Sequence, residues 1–158
     1  VHDMAIKARL AAAGASAVLA AAGSLAYFYE GEVRQAYVDP VGVLTACVGS
    51  TEGVKLGQIY SEHECTELFL KDLRVAEAAV NRCTPSVPEA AKPALISFTF
   101  NVGSGAYCSS TLAKLANAGD MIGACKQMYR WVYAGGRVLP GLVNRREAEA
   151  AACLEGVL

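Results

Sequence analysis

Two carboxylates and a hydroxyl stand close together in one stretch of the chain. Glu30 is followed, after eight intervening residues, by Asp39, and after five more by Thr45. Gly31 comes directly after Glu30, and glycine most easily adopts the left-handed conformation that ends a helix. Glu30 is therefore expected in the last turn of a helix. The negative end of the helix dipole disfavours a carboxylate there, and burial would disfavour it further. A glutamate that keeps its proton near neutral pH is suited to general-acid work. Asp39-Pro40-Val41-Gly42 carries Asp, Pro and Gly where a type I turn favours them, and Pro40 keeps Asp39 extended. Val43 to Val48 then reads as a short strand with Val43, Thr45 and Cys47 on one face. Two carboxylates across a cleft fit glycoside hydrolysis, one protonating the leaving oxygen and the other activating water or attacking the sugar. The same residues also fit plain turn punctuation and an ordinary helix end, and spacing alone leaves both readings open.

The element that must position Glu30 is the segment before it. Leu10–Tyr29 is twenty residues without a charge, preceded by Lys7 and Arg9. As one helix it is long enough to span a bilayer. Its composition is weak for that purpose: nine Ala, two Gly and two Ser against three Leu, one Val and one Phe. Those five strongly apolar residues supply only about −2 kcal/mol of insertion energy. The basic flank puts the N-terminus on the cytoplasmic side and the remainder outside. A cleavable signal peptide with a small-x-small site at Ser24-Leu25-Ala26 fits the pattern, as does a permanent anchor, but a cut there would strip Glu30 of its helix. Val1, His2 and Asp3 precede Met4, the expected natural start, and carry no part of the fold argument.

The rest of the chain supplies a body. Residues 53–57 read as loop. Ser61-Glu62-His63-Glu64 is a capping box that opens a helix through about Arg82, with Leu68, Phe69, Leu73, Val75, Ala76 and Val80 as its apolar positions. His63 reads as a solvated first-turn residue. Pro88 fits the first position of the next helix, which runs to about Val102 and carries the central buried run Leu95, Ile96, Phe98, Phe100. Asn101, at the end of that run, is a candidate to hold cleft backbone or bind sugar. Gly103–Tyr107 reads as a tight connection. Ser110 caps a helix through Ala118, Asp120 caps another through about Val132, and Ala134–Gly141 is a loop. Leu142–Leu154 is the last helix. Arg145 and Arg146 fall in its first turn, where cations oppose the dipole; that placement suggests a carboxylate partner in the cleft, and an ordinary surface pair is the other reading.

Composition narrows the class. At 158 residues the chain is one domain with room for a real core. A net charge of −1 gives no electrostatic footprint for nucleic acid. Six cysteines without a CxxC pair, and only His2 and His63 as histidines, speak against zinc and for disulfides formed in an oxidising compartment.

The Glu30, Asp39, Thr45 spacing resembles the signature of the phage-type lysozymes, the endolysins of tailed bacteriophages. AYVDPVGVLTACVGST around it agrees, as do SEHEC at Ser61–Cys65, FNVGSGAYCSSTL at Phe100–Leu112, GACKQMYRWVYAGG at Gly123–Gly136 and GLVNRREAEAAAC at Gly141–Cys153. The resemblance covers nearly all of the chain after Tyr27. Many members carry a histidine after the strand's last glycine, where this chain has Ser50. The resemblance implies an α+β lysozyme-like fold, mostly helical, with a small hairpin region near Tyr37–Ile59. It implies a muramidase acting on the peptidoglycan β-1,4 bond between N-acetylmuramic acid and N-acetylglucosamine, without metal or other cofactor, as a monomer. A lytic transglycosylase, or a membrane-anchored wall-binding protein with an inert site, is the alternative. Glu30 would be the general acid, Asp39 would stabilise positive charge and orient or deprotonate water, and Thr45 would hold that water. A carboxylate separation of about 6.5–9.5 Å would imply inversion. Arg145 would approach and orient Glu30, while Arg146 would face solvent or another acid. The pairings Cys47–Cys65, Cys83–Cys108 and Cys125–Cys153 are implied in the same way. Residues 4–29 would form a signal-arrest-release helix, inserted in the host inner membrane and later released to the periplasm, and residues 30–158 the catalytic domain.

Overall fold

A computed structural model describes residues 2–158; Val1 lies outside the described residues. The uncharged run before Glu30 is not one helix. It is divided between α1, His2–Ala12, and α2, Ala17–Glu30. The first ends as Ala15 N donates to Leu10 O at 2.9 Å. Ser16 begins the second, its hydroxyl accepting from Leu19 N at 3.1 Å, because serine competes poorly in helix interiors but caps well. Among the described residues no helix is long and apolar enough to cross a membrane. The two helices fold back on each other and onto the body. Leu10 is fully buried against Gly23, where an added Cβ would lie 2.3 Å from Leu10 Cδ1 and 3.0 Å from Leu73 Cδ1. Leu19, Ala22 and Ala26 of α2 enter the main core. At its other end α2 stops as expected: Gly31 has φ of +71° and its N–H donates to Tyr27 O at 3.0 Å.

Strands β1, Val33–Val38, and β2, Leu44–Cys47, pair antiparallel with Tyr37 opposite Thr45 and Val38 opposite Leu44. The hairpin thus begins earlier than Tyr37, and a bridge from Gln35 to Ile59 closes the lobe behind it. Ala36, Ala46, Cys47, Val54, Tyr60 and Cys65 form a small core of its own. The expected strand through Val48 stops at Cys47, which has φ of +60°, and Ala46 and Ser50 exchange backbone hydrogen bonds of 2.9 Å across the turn. Val43 lies outside the strand and is exposed, whereas Thr45 and Cys47 are buried. Val48, wholly buried, ties the lobe to the main core.

Helix α3, Glu62–Cys83, carries the Ser61–Glu64 capping box in full. It buries Phe69, Leu70, Leu73, Ala76 and Val80, while Val75 turns outward. A 3-10 turn, Glu89–Ala91, follows Pro88 and leads into α4, Lys92–Val102, whose Leu95, Ile96 and Phe98 are fully buried. The connection expected at Gly103–Tyr107 is instead a short helix, α5, Ser104–Cys108. Helices α6, Thr111–Asn117, and α7, Met121–Gln127, start at the expected caps Ser110 and Asp120. Helix α7 stops short of Val132 and gives way to a 3-10 turn, Met128–Arg130. The expected loop holds a second hairpin, β3, Tyr133–Ala134, with β4, Arg137–Val138. Helix α8, Pro140–Glu155, starts earlier than expected, which moves Arg145 and Arg146 from its first turn to its second. Disulfides Cys47–Cys65, Cys83–Cys108 and Cys125–Cys153 bridge α3 to the hairpin, α3 to α5, and α7 to α8.

Candidate active site

The last residue of α2 faces a cleft between the hairpin lobe and the helical body. The Glu30 side chain is 24% exposed and lines a cavity of about 450 Å³. Gly49 and Thr51 contribute from the lobe, Asp72, Val75 and Ala76 from α3, and Thr99, Phe100 and Asn101 from α4. Lobe and body meet at Glu30 itself. A Cβ at Gly49 would sit 3.4 Å from Glu30 Oε2, so the carboxylate passes closely over that glycine.

Behind Glu30 the wall is charged. Arg145 Nη1 donates to Glu30 Oε1. The same guanidinium donates through Nε to Glu149 Oε2 at 3.1 Å and through Nη2 to Ser97 O at 3.1 Å. Arg146 does not face solvent. It is 2% exposed, and its Nη1 donates to Glu149 Oε1 at 2.6 Å, its Nε to Trp131 O at 2.8 Å and its Nη2 to Asn101 Oδ1. Its guanidinium lies 4.9 Å from the Phe98 ring centroid, within cation–π range. Burial pulls the Arg146 guanidinium below its ordinary pKa, and Glu149 partly offsets this. Glu149 is completely buried and also accepts from Ser97 Oγ at 2.6 Å. The carboxylate partner that the paired arginines require is therefore twofold: Glu30 for Arg145, and Glu149 for both. Sequence reasoning passed over Glu149, although it stands four and three residues after the arginines, the spacing at which helical side chains meet.

Asp39 and Thr45 stand on the hairpin and do not line the cavity that holds Glu30. Asp39 makes the expected turn. Gly42 N donates to Asp39 O at 2.9 Å, and Asp39 Oδ1 accepts from Val41 N at 3.0 Å and Val43 N at 2.8 Å. Both side-chain bonds fall on Oδ1. Thr45 is buried, and its hydroxyl donates to Val43 O at 2.9 Å. Asn101 lines the main cleft and also a neighbouring groove of about 380 Å³ with Trp131, Tyr133 and Arg146. His63 is exposed, 3.8 Å from Glu67, away from the cleft. Ser50, at the position of the family's histidine, donates to Asp72 Oδ2 at 2.7 Å. Burial pushes the Asp72 carboxyl above its ordinary pKa, against the opposing effect of that hydrogen bond. No spacing signal pointed to Asp72.

A second charged cluster lies at the far side of α2. Arg9 of α1 donates to Glu32 at 2.8 Å and to Thr66 Oγ1 at 3.0 Å, and Arg34 donates to Glu32 at 2.9 Å and to Glu62 at 3.1 Å. Burial opposes the charged form of Glu32. Hydrogen bonds from Arg9, Arg34 and Tyr27 outweigh it and hold the carboxyl below its usual range.

Comparison with known proteins places this arrangement among related chains. The profile of the phage lysozyme family matches residues 28–149. A SAR-endolysin of bacteriophage PS119 is 44% identical over 129 residues, which are 80% of this chain and 77% of that protein. The crystal structure of the active form of the P1 phage endolysin Lyz superposes with a TM-score of 0.84 at 25% identity, covering 100% of this chain and 96% of that one. The secreted inactive form of the same endolysin gives 0.54 at 26% identity, covering 68% and 77%.

Proposed function

The chain belongs to the phage lysozyme family, and from that premise we propose that it is an endolysin that hydrolyses the β-1,4 bond between N-acetylmuramic acid and N-acetylglucosamine to lyse the host. The observation that carries this reading is the placement of Glu30. A helix end delivers the carboxyl to the rim of a cleft, an arginine fixes one oxygen from behind, and Gly49 leaves the other room at the lobe. Glu30 protonates the leaving oxygen as general acid. Asp39, its Oδ1 fixed by the turn, stabilises positive charge on the sugar and orients or deprotonates water through Oδ2. Thr45, whose hydroxyl donates to Val43 O, keeps lone pairs with which to accept from that water. Inversion at the anomeric carbon is the expected outcome. Glu30→Gln should abolish turnover with the fold intact. Wild-type products should carry reducing ends of inverted configuration by NMR; anhydro ends would assign a lytic transglycosylase instead.

The α1–α2 segment is proposed to begin life in the host inner membrane with the N-terminus cytoplasmic, and to reach the periplasm after release. Straightened, Leu10–Tyr29 would extend about 30 Å, the thickness of the hydrocarbon core. In the fold described here the same segment is bent and packed on the body, and only so does α2 bring Glu30 to the cleft. The greater likeness to the active form of the P1 endolysin than to its inactive form supports taking this as the released, competent arrangement. Arg9, the topogenic charge of the inserted state, pairs with Glu32 across the bend, a contact that a straight helix spanning the bilayer excludes. Ala11, Ala12 and Ala17 are exposed, so leucine at these three positions should strengthen insertion by roughly 1 kcal/mol or more without a clash in the folded form. That variant should remain in the membrane fraction after depolarisation and fail to lyse. Lysis by a variant shown to stay membrane-bound would remove the release step from this reading.

A further inference from the structure

Glu149 is the one wholly buried carboxylate of the charged wall. It touches neither the cleft nor Glu30. Its two oxygens are divided between the two arginines: Oε1 takes Arg146 Nη1 at 2.6 Å, and Oε2 takes Arg145 Nε at 3.1 Å together with Ser97 Oγ at 2.6 Å. Arg145 is thereby held at all three guanidinium nitrogens, by Glu149, Ser97 O and Glu30. A planar fork fixed at two points has no freedom left at the third. From these contacts we infer that Glu149 is a positioning residue for the reaction, setting where Arg145 meets Glu30 and balancing the charge that Arg145 and Arg146 bring to the wall. The inference rests on the general-acid reading of Glu30.

Glu30 and Glu149 oppose Arg145 and Arg146. With Glu149 neutral, two buried cations would stand behind a single carboxylate, and their attraction would favour Glu30 in its ionised form. A general acid must hold its proton until the leaving oxygen takes it, so activity would fail at lower pH than in the wild type. The groups facing Glu30 that remain are Arg145 from α8, Tyr29 beside it on α2, and Asp72 of α3 and Glu52 of the lobe along the same cleft. Those facing Glu149 are Arg145 and Arg146 on its own helix, with the uncharged Ser97 and Asn101 on α4 beside the cluster.

The test uses the full released chain on a soluble peptidoglycan oligomer, with kcat and KM followed against pH. Glu149→Gln keeps the shape and one acceptor, enough for Arg145 Nε and Ser97 Oγ, and it removes the charge together with the acceptor for Arg146 Nη1. The alkaline limb of kcat should move down by roughly half to one pH unit. Arg146→Met with Glu149→Met removes a buried pair together, a change that folded proteins tolerate far better than loss of one partner, so it reads positioning even where the single variant does not fold. Here the limb should stay in place while kcat falls roughly ten- to hundred-fold, with KM within about twofold of the wild type. An unmoved limb in folded Glu149→Gln, or wild-type kcat in the double variant, overturns the inference. Glu30→Gln run alongside separates the two ideas. If it is inactive, those failures count against Glu149 alone; if it retains turnover, the acid assignment falls and takes the inference with it.

Discussion

The two charged clusters on either side of α2 use the same chemistry under opposite conditions. In the wall behind the cleft, the side chains of Arg145, Arg146 and Glu149 are 3%, 2% and 0% exposed. In the clasp around Glu32, the carboxylate is 6% exposed, but Arg9 is 18%, Arg34 47% and Glu62 58%. A buried ion pair is costly to assemble and more costly to break singly, because the survivor keeps its desolvation penalty. A half-solvated pair costs little and contributes little. The wall is thus suited to fixing one geometry. The clasp is suited to favouring one arrangement of a segment over another without locking it.

Arg145→Ala should show the largest effect, losing roughly 3–5 kcal/mol of stability and about a hundredfold in turnover. Arg145→Lys, which keeps the charge but not the fork, should recover stability better than turnover. Thermal unfolding and rate measured on the same samples would check both, and a loss no greater than that of Arg34→Ala would erase the contrast between the clusters. Arg146→Ala should follow closely in stability. A surface placement predicts almost no effect; burial against Glu149, Asn101 and Trp131 O predicts a fall of several degrees in Tm. Glu32→Gln belongs to the milder cluster and should lower Tm by about 2–4 °C at pH 7. Its carboxyl lies below the ordinary value of 4.5, so its stabilisation is complete above about that pH and is lost as pH falls through the folded value. The difference between wild type and Glu32→Gln should therefore vanish in acid; a difference independent of pH would mean that packing, not charge, holds the clasp. Asp72→Asn should be smallest and opposite in sign. The Asp72 carboxyl is raised above 3.8, so ionising it costs stability as pH rises through the folded value. The variant should gain about 1–2 °C at pH 7 and nothing in strong acid.

Local chemistry was legible where one residue type had one physical solution. Glu30 before Gly31, Asp39 before Pro40, and the Ser61–Glu64 box each specify a few residues of backbone, and the structure follows them. A carboxylate partner for Arg145 and Arg146 was suggested by two charges near a helix start, beside the reading as a surface pair; the helix begins earlier, and burial rather than the dipole sets the need. What escaped depends on packing between distant segments. Nothing in an alanine-rich run says that Ser16 will cap a second helix rather than sit inside one long one; contact of Leu10 with Gly23 decides it. Glu149 reads as one more acid on an exposed helix until α4 covers it with Ser97. The β3–β4 hairpin was available in principle. Gly135-Gly136, with φ of +58° and +77°, is a two-residue turn of the kind that joins short strands, hidden among three glycines of an apparent loop.

On the proposed release pathway, Gly23 ties two solvents together. In lipid, every added methyl along Leu10–Tyr29 would favour residence. In the folded protein even one methyl at position 23 would drive into Leu10 and Leu73. Selection for firmer insertion therefore cannot act at this residue without loosening the helix that ends at Glu30. At position 23 the hydrophobicity of the segment has a ceiling set by the shape of its docking site, and on the proposed release pathway part of its readiness to leave the bilayer is inherited from that requirement of fit.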